Sequence, residues 1–191
     1  YRVDRAAVVG CSVGGLIALK LALLAPDRVS ALVLSNTAAR IGSEDSWSER
    51  IAAVENQGMA AVAGEVVPRW FAPPMLATPE AGLWRTMIAR TDPAAYISVC
   101  AAIAAEDLRP ALAGITAPAL VVGGRHDRST PPPVVADLAE ALSAEFRLYE
   151  TAGHLPAVEA PKPFAEDISH FLQTLPDRTV RATLASARLS P

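Results

Sequence analysis

Basic side chains are few in this chain and never run together. Its 191 residues hold 17 lysines and arginines against 20 aspartates and glutamates, a net charge of −3. That pattern offers no positive patch to a phosphate backbone, which excludes a nucleic-acid partner. No apolar run approaches the ~18 residues that would suggest a membrane span, so no membrane partner is expected. Cysteine is scarce as well: Cys11 and Cys100 do not read as half of a disulfide framework, and a reducing, cytoplasmic setting fits. The three histidines, His126, His154 and His170, lack the close spacing of metal ligands, so no metal site is expected. With charged residues at 19% and hydrophobic ones at 51%, disorder is excluded and a packed core is required. The length suits one domain, with room for an inserted subdomain.

What is present is a set of short apolar runs that end in small residues. Ala6 to Val9 leads into Gly10-Cys11-Ser12-Val13-Gly14 and then an apolar, helix-compatible stretch from Leu16 to Leu24, closed by Pro26. This is the G-x-S-x-G elbow, a sharp strand-to-helix turn that lifts a serine hydroxyl clear of a sheet. Gly10 and Gly14 stand where a Cβ is expected to collide as helix and strand close on each other. Serine alone is a weak nucleophile and needs a base and an orienting acid.

Both appear downstream. Ala119 to Gly124 reads as a strand leading into Arg125-His126-Asp127, and Glu145 to Glu150 as another leading into Thr151-Ala152-Gly153-His154. In a parallel sheet the carboxyl ends of strands gather at one edge. Ser12, Asp127 and His154 each fall just past such an end, in the chain order of α/β-hydrolases. His154 is then the base toward Ser12, and Asp127 holds its tautomer and stabilises the imidazolium. Competing groups read differently: His126 as a rim-loop residue, His170 as a helix-surface residue, Asp107 as the main substitute acid, and Glu150 as too close to the histidine to orient it.

The fold class is α/β: the carboxy-terminal portion of an α/β-hydrolase fold, with a mainly parallel sheet and an inserted helical lid. Strands are expected near 6–11, 30–35, 119–124 and 145–150, side by side in that order, which leaves the first at an edge. Residues 1–42 and 111–175 form the partial core, 43–110 the lid and 176–191 a tail or linker. Within the lid, Ser46 and Glu49 resemble a capping box opening a helix through Gly58. Further helices are expected over 59–71, 83–90 and 94–105. A lid supplies apolar walls and expels water from the reacting centre. Trp70, near a helix end before a proline break, is the tryptophan expected to face the pocket.

The stretches Gly10-Cys11-Ser12-Val13-Gly14-Gly15, Ala25-Pro26-Asp27-Arg28-Val29 and Leu32 through Asn36-Thr37-Ala38-Ala39-Arg40-Ile41-Gly42 together resemble 3-oxoadipate enol-lactonase, an α/β-hydrolase of aromatic catabolism through the β-ketoadipate route. Trp47, Arg69-Trp70-Phe71, and Arg85 to Met87 through Tyr96 and Cys100 look like that family's lid, and the Asp127 and His154 loops fit its acid and base loops. The resemblance covers about residues 3–175. Cys11 and Val13 depart from the residues expected beside the serine. The resemblance implies hydrolysis of a small-molecule lactone ester without a cofactor, with Trp70, Arg69 and Tyr96 binding substrate. It also implies a substrate carboxylate that Arg69 or Arg90 could pair with. The Val13 N–H would be one oxyanion-hole donor, the second coming from a loop after an earlier strand. Because the elbow strand is central in such folds yet begins here almost at residue 1, the chain reads as part of a larger protein. Its partner would be an amino-terminal half, with a fused decarboxylase domain beyond the tail in some relatives, and residues 1–191 alone are expected to be nearly inactive. Rival readings are another hydrolase such as a carboxylesterase, a cofactor-free haloperoxidase, or a catalytically incomplete fragment or subunit.

Overall fold

The four apolar runs form four parallel strands in a computed structural model that describes residues 3–176. They are β1 (Ala6–Cys11), β2 (Val29–Ser35), β3 (Ala119–Gly124) and β4 (Glu145–Tyr149), in the sheet order β1-β2-β3-β4. Both central strands are buried along their whole length. This is why they read as continuous apolar runs and not as alternating ones. Their side chains still divide by the period of two. Leu32, Leu34 and Val121 pack with α1 (Val13–Leu24) and α6 (Pro132–Ala141), whereas Ala31, Val33, Leu120 and Val122 pack with α8 (Pro161–Thr174). As expected, β1 lies at the edge, with Val9 52% exposed. The helix that follows it is apolar but for Lys20, and Ile17 (63%) and Leu24 (75%) face outward. The tail read over 176–191 lies outside the described residues except for Pro176.

Between β2 and β3 the chain is helical: α2 (Glu44–Trp70), α3 (Pro73–Leu76), α4 (Glu80–Ala89) and α5 (Pro93–Ala105). These helices have an apolar core of their own, built from Val54, Met59, Val62, Val67, Phe71 and Ile88. α2 is broken at Gly58, whose φ of 78° leaves the helical region, which matches the two segments read there. The capping box is shifted, however. Ser43 is the N-cap, accepting from the Ser46 N–H at 3.2 Å while the Ser46 hydroxyl accepts from the Ser43 N–H at 3.0 Å. Ser46 therefore sits at the third helical position, and Glu49 takes no part. After β4 a short helix, α7 (Pro156–Glu159), precedes α8. No helix among the described residues is long and apolar enough to cross a membrane.

Candidate active site

Parallel register brings the strand ends to one rim. Cys11 pairs with Ser35, Ser35 with Val122, and Gly124 with Tyr149. The residues just beyond those ends are Ser12, Asn36, Asp127 and His154. Ser12 has φ 55° and ψ −121°, a conformation that costs about 1–3 kcal/mol and persists only where its surroundings enforce it. They do so through its backbone. The Ser12 N–H donates to the Ser35 carbonyl at 3.0 Å, and the Ser12 carbonyl accepts from the Thr37 hydroxyl at 2.7 Å. The turn is tight because Gly10 has no side chain: a Cβ there would lie 2.2 Å from the Gly14 carbonyl oxygen. The expectation for Gly14 needs correction. A Cβ on Gly14 meets nothing within 4 Å, and it is Gly15, whose Cβ would fall 2.4 Å from the Thr37 side chain, that the packing requires.

The acid and base meet in the interior. His154 Nδ1 lies 2.7 Å from Asp127 Oδ2, with the histidine side chain 3% exposed and the aspartate fully buried. Asp127 accepts from four further donors. The Ser129 and Thr130 N–H groups reach Oδ1 at 2.7 and 3.0 Å, and the Thr130 hydroxyl and Asn36 amide reach Oδ2 at 2.7 and 2.9 Å. Burial works to raise its pKa, but His154, Asn36 and Thr130 together outweigh burial and hold the carboxyl below its ordinary range. An ionised carboxylate can only accept, so Nδ1 is the donor of this pair, and in the neutral imidazole Nε2 is then the acceptor. That arrangement leaves a base pointing away from its orienting acid.

Two loops and the lid are tied together around this pair. The Asn36 amide also donates to the Gly153 carbonyl at 3.0 Å, and the Ser35 hydroxyl donates to Asn36 Oδ1 at 2.9 Å. Asn36 itself has φ 49°, which asparagine tolerates better than most residues. The His154 N–H donates to the Trp70 carbonyl at 2.5 Å, and the two rings stack with centroids 6.0 Å apart. The Arg128 N–H donates to the Arg69 carbonyl at 3.1 Å. The Glu159 carboxylate spans the same junction, accepting from the Gly153 N–H at 2.6 Å and the Ala72 N–H at 2.8 Å.

Ser12 and His154 open onto one cavity of about 230 Å³ under the helical insertion, which is also lined by Val13, Trp47, Arg50, Arg69, Trp70 and Tyr96. The residues read from the sequence as nucleophile, base, oxyanion donor and substrate contacts thus share one space, and Asp127 stands behind His154. Val13 is the first residue of α1, where a backbone N–H has no partner in the helix ladder. Arg90 does not join them: it is exposed at the end of α4, away from the cavity. Asp107 is taken by ion pairs to Arg109 and Arg40, Glu150 by a two-pronged pair to Arg125, and His126 and His170 are exposed. The reading overlooked Asn36, Thr130 and Arg50. Asn36 could have been found, since it directly follows a strand that ends beside the elbow. Arg50 carries no such signal, because its place in the cavity depends on how α2 folds back over the sheet.

A parallel α/β sheet that presents a strained serine and a buried histidine–aspartate pair at its strand ends defines a hydrolase-type architecture. The chain belongs to the alpha/beta hydrolase family, whose pattern it matches over residues 2–167. It is 32% identical over 168 residues to 3-oxoadipate enol-lactonase 2 of Acinetobacter baylyi, covering 85% of this chain and 62% of that protein's length. It is 29% identical over 181 residues to the pimeloyl-[acyl-carrier protein] methyl ester esterase of Aliivibrio salmonicida, covering 89% and 69% of the two chains. The crystal structure of the enol-lactonase from Burkholderia xenovorans LB400 superposes with a TM-score of 0.85 at 36% identity, over 90% of this chain and 67% of that one.

Proposed function

We propose that the protein is a serine hydrolase of lactone and ester bonds, with 3-oxoadipate enol-lactone as its substrate and 3-oxoadipate as the product. The observation that carries this reading is the buried 2.7 Å contact between His154 Nδ1 and Asp127 Oδ2, with Ser12 and His154 on one cavity. His154 Nε2 takes the Ser12 proton as Oγ bonds to the lactone carbonyl carbon. The negative charge moves to the carbonyl oxygen, facing the Val13 N–H. As the tetrahedral centre collapses, the ring C–O bond breaks and the enol oxygen receives the proton from the imidazolium. Water then gives a proton to His154 and attacks the acyl carbon, and Ser12 leaves with that proton. The freed enol ketonises to 3-oxoadipate.

Losing one oxyanion donor typically costs a hundred- to a thousandfold in turnover, so a second donor matters. In this proposal it comes from polypeptide packed on the open edge of β1, against the outward-facing Val9, Ile17 and Leu24. Two free thiols, at Cys11 and Cys100, suit a cytoplasmic setting. A methyl ester of a longer acid is the second reading, favoured by the likeness to the pimeloyl ester esterase. Following enol-lactone loss by ultraviolet absorbance, beside release of methanol from methyl esters, separates the two. Enol-lactone turnover that vanishes in Ser12→Ala supports the proposal; turnover of methyl esters alone replaces it with the second reading, and unchanged activity in Ser12→Ala removes both.

A further inference from the structure

The cavity beside Ser12 carries positive charge that nothing within it balances. Arg50 and Arg69 both line it, and none of its other lining residues is an aspartate or glutamate. The two arginines are not equivalent. Arg69 is exposed, and its Nη2 donates to the Arg128 carbonyl at 3.0 Å, so its guanidinium serves the junction between lid and acid loop. Arg50 is half-buried, and its Nη1 is shut off from solvent without a hydrogen-bond partner. A buried guanidinium nitrogen left in that state is costly unless something else meets it. Among the described residues no carboxylate pairs with Arg50. Its neighbour is the Tyr96 hydroxyl, on the facing helix α5.

We infer that Arg50, and neither Arg69 nor Arg90, is the residue that anchors the carboxylate of the substrate and so sets the preference for carboxylate-bearing over neutral esters. The inference rests on the serine-hydrolase reading of the same cavity, and moves the anchoring role from Arg69 and Arg90 to Arg50. Geometry favours the assignment. Arg50 leaves α2 about two turns after its N-cap and Tyr96 leaves the first turn of α5, so both reach the cavity from the helical insertion. Ser12 and His154 reach it from the sheet. A ligand with an anion at one end and an ester at the other spans the two layers. The planar guanidinium can hold both oxygens of a carboxylate, which fixes orientation as well as position.

Two arms test this. Adipate binding is followed by tryptophan fluorescence, since Trp47 and Trp70 line the cavity, in the native protein, Arg50→Gln and Arg69→Gln. Loss of a charge-assisted contact predicts a 10- to 100-fold weaker dissociation constant for Arg50→Gln, and a smaller loss for Arg69→Gln. In the second arm, monomethyl adipate and neutral dimethyl adipate are compared as substrates. Arg50→Gln raises KM about 10- to 100-fold for the first and less than about threefold for the second. Unchanged thermal midpoints show that the variants fold. The inference is overturned if the native protein does not bind adipate at millimolar concentration, if Arg50→Gln binds it as well as the native protein, or if Arg69→Gln is the more damaging change. With the polypeptide that covers the open edge of β1 present, absence of hydrolysis of either ester overturns the serine-hydrolase reading instead, and the binding arm still decides the role of Arg50.

Discussion

Replacing Asp127 by asparagine keeps the shape of the side chain and reverses its hydrogen-bond logic. The carboxylate accepts from five groups: His154 Nδ1, the Asn36 amide, the Thr130 hydroxyl and two backbone N–H groups. The two backbone donors on Oδ1 cannot turn away, so the new amide must place its oxygen toward them and its NH2 toward His154, Asn36 and Thr130. The Thr130 hydroxyl can rotate to accept, but the Asn36 amide cannot. His154 can accept only by giving up the proton on Nδ1 and holding one on Nε2, where a proton blocks removal of the Ser12 hydrogen. The wrong tautomer costs on the order of 10⁴ in turnover, or about 5.4 kcal/mol of barrier. The donors left unsatisfied cost about 1–3 kcal/mol of stability. The sign with pH follows from the lowered pKa of Asp127. The folded state binds fewer protons there than the unfolded state does. The stabilisation is therefore fully present above the unfolded value near ~3.9, and is lost as pH falls through the lower folded value. The assay measures ester or lactone turnover at pH 7 together with unfolding free energies of both proteins at pH 7, 5 and 3. Turnover within tenfold of native, or a stability gap between the proteins that does not narrow on acidification, refutes this reasoning.

Other perturbations have equally definite outcomes. Gly124→Ala would put a Cβ 1.9 Å from the Gly153 carbonyl oxygen, forcing the acid and base loops apart; a loss of about 1–3 kcal/mol or more in chemical unfolding and a collapse of turnover are expected. Asn36→Ala removes the link between Asp127 and the Gly153 carbonyl and places alanine at a positive φ; both turnover and the thermal midpoint fall, whereas Asn36→Asp loses turnover through charge repulsion against Asp127. The Cys11 thiol is pushed up to about 11, by burial first and then by the charge of Asp127. Iodoacetamide at pH 8 should therefore alkylate it on the order of a hundredfold more slowly than an ordinary free cysteine, as peptide mass spectrometry can follow. Glu159→Gln keeps only one acceptor oxygen for two backbone donors, so the His154 loop loosens; turnover falls with little change in KM for a small ester.

Much of this was legible along the chain because parallel strands translate sequence position into spatial position. A residue just past a strand end reaches the same rim whatever lies between, so Ser12, Asp127 and His154 could be gathered without knowing how the helices pack. The helices 44–105 were legible as helices through their caps and proline breaks, but their placement over the sheet was not. That is why Trp70 was read as pocket-facing only from its place before a proline break and Tyr96 only from the family likeness, why Arg50 was missed, and why Arg90, offered as a contact, lies outside the cavity. Local turn chemistry misled in two places. Gly14 sits in the elbow pattern, yet its Cβ position is open. Gly15 is constrained by Thr37, a partner 22 residues away that no local pattern reveals. The capping box slipped by one turn because Ser43 and Ser46 can each serve as an N-cap, and it is Ser43, in extended backbone at φ −121° and ψ 163°, that does so.

The proposed hydrolysis depends on a nucleophilic Ser12 whose proton passes to His154. A fluorophosphonate that captures only activated serines, followed by peptide mapping, examines this directly in the native protein, Ser12→Ala and His154→Ala. A single adduct on Ser12, absent from the serine variant and formed at least a hundredfold more slowly in the histidine variant, is the predicted result. An adduct on another residue, or labelling of Ser12 at an undiminished rate without His154, would contradict it.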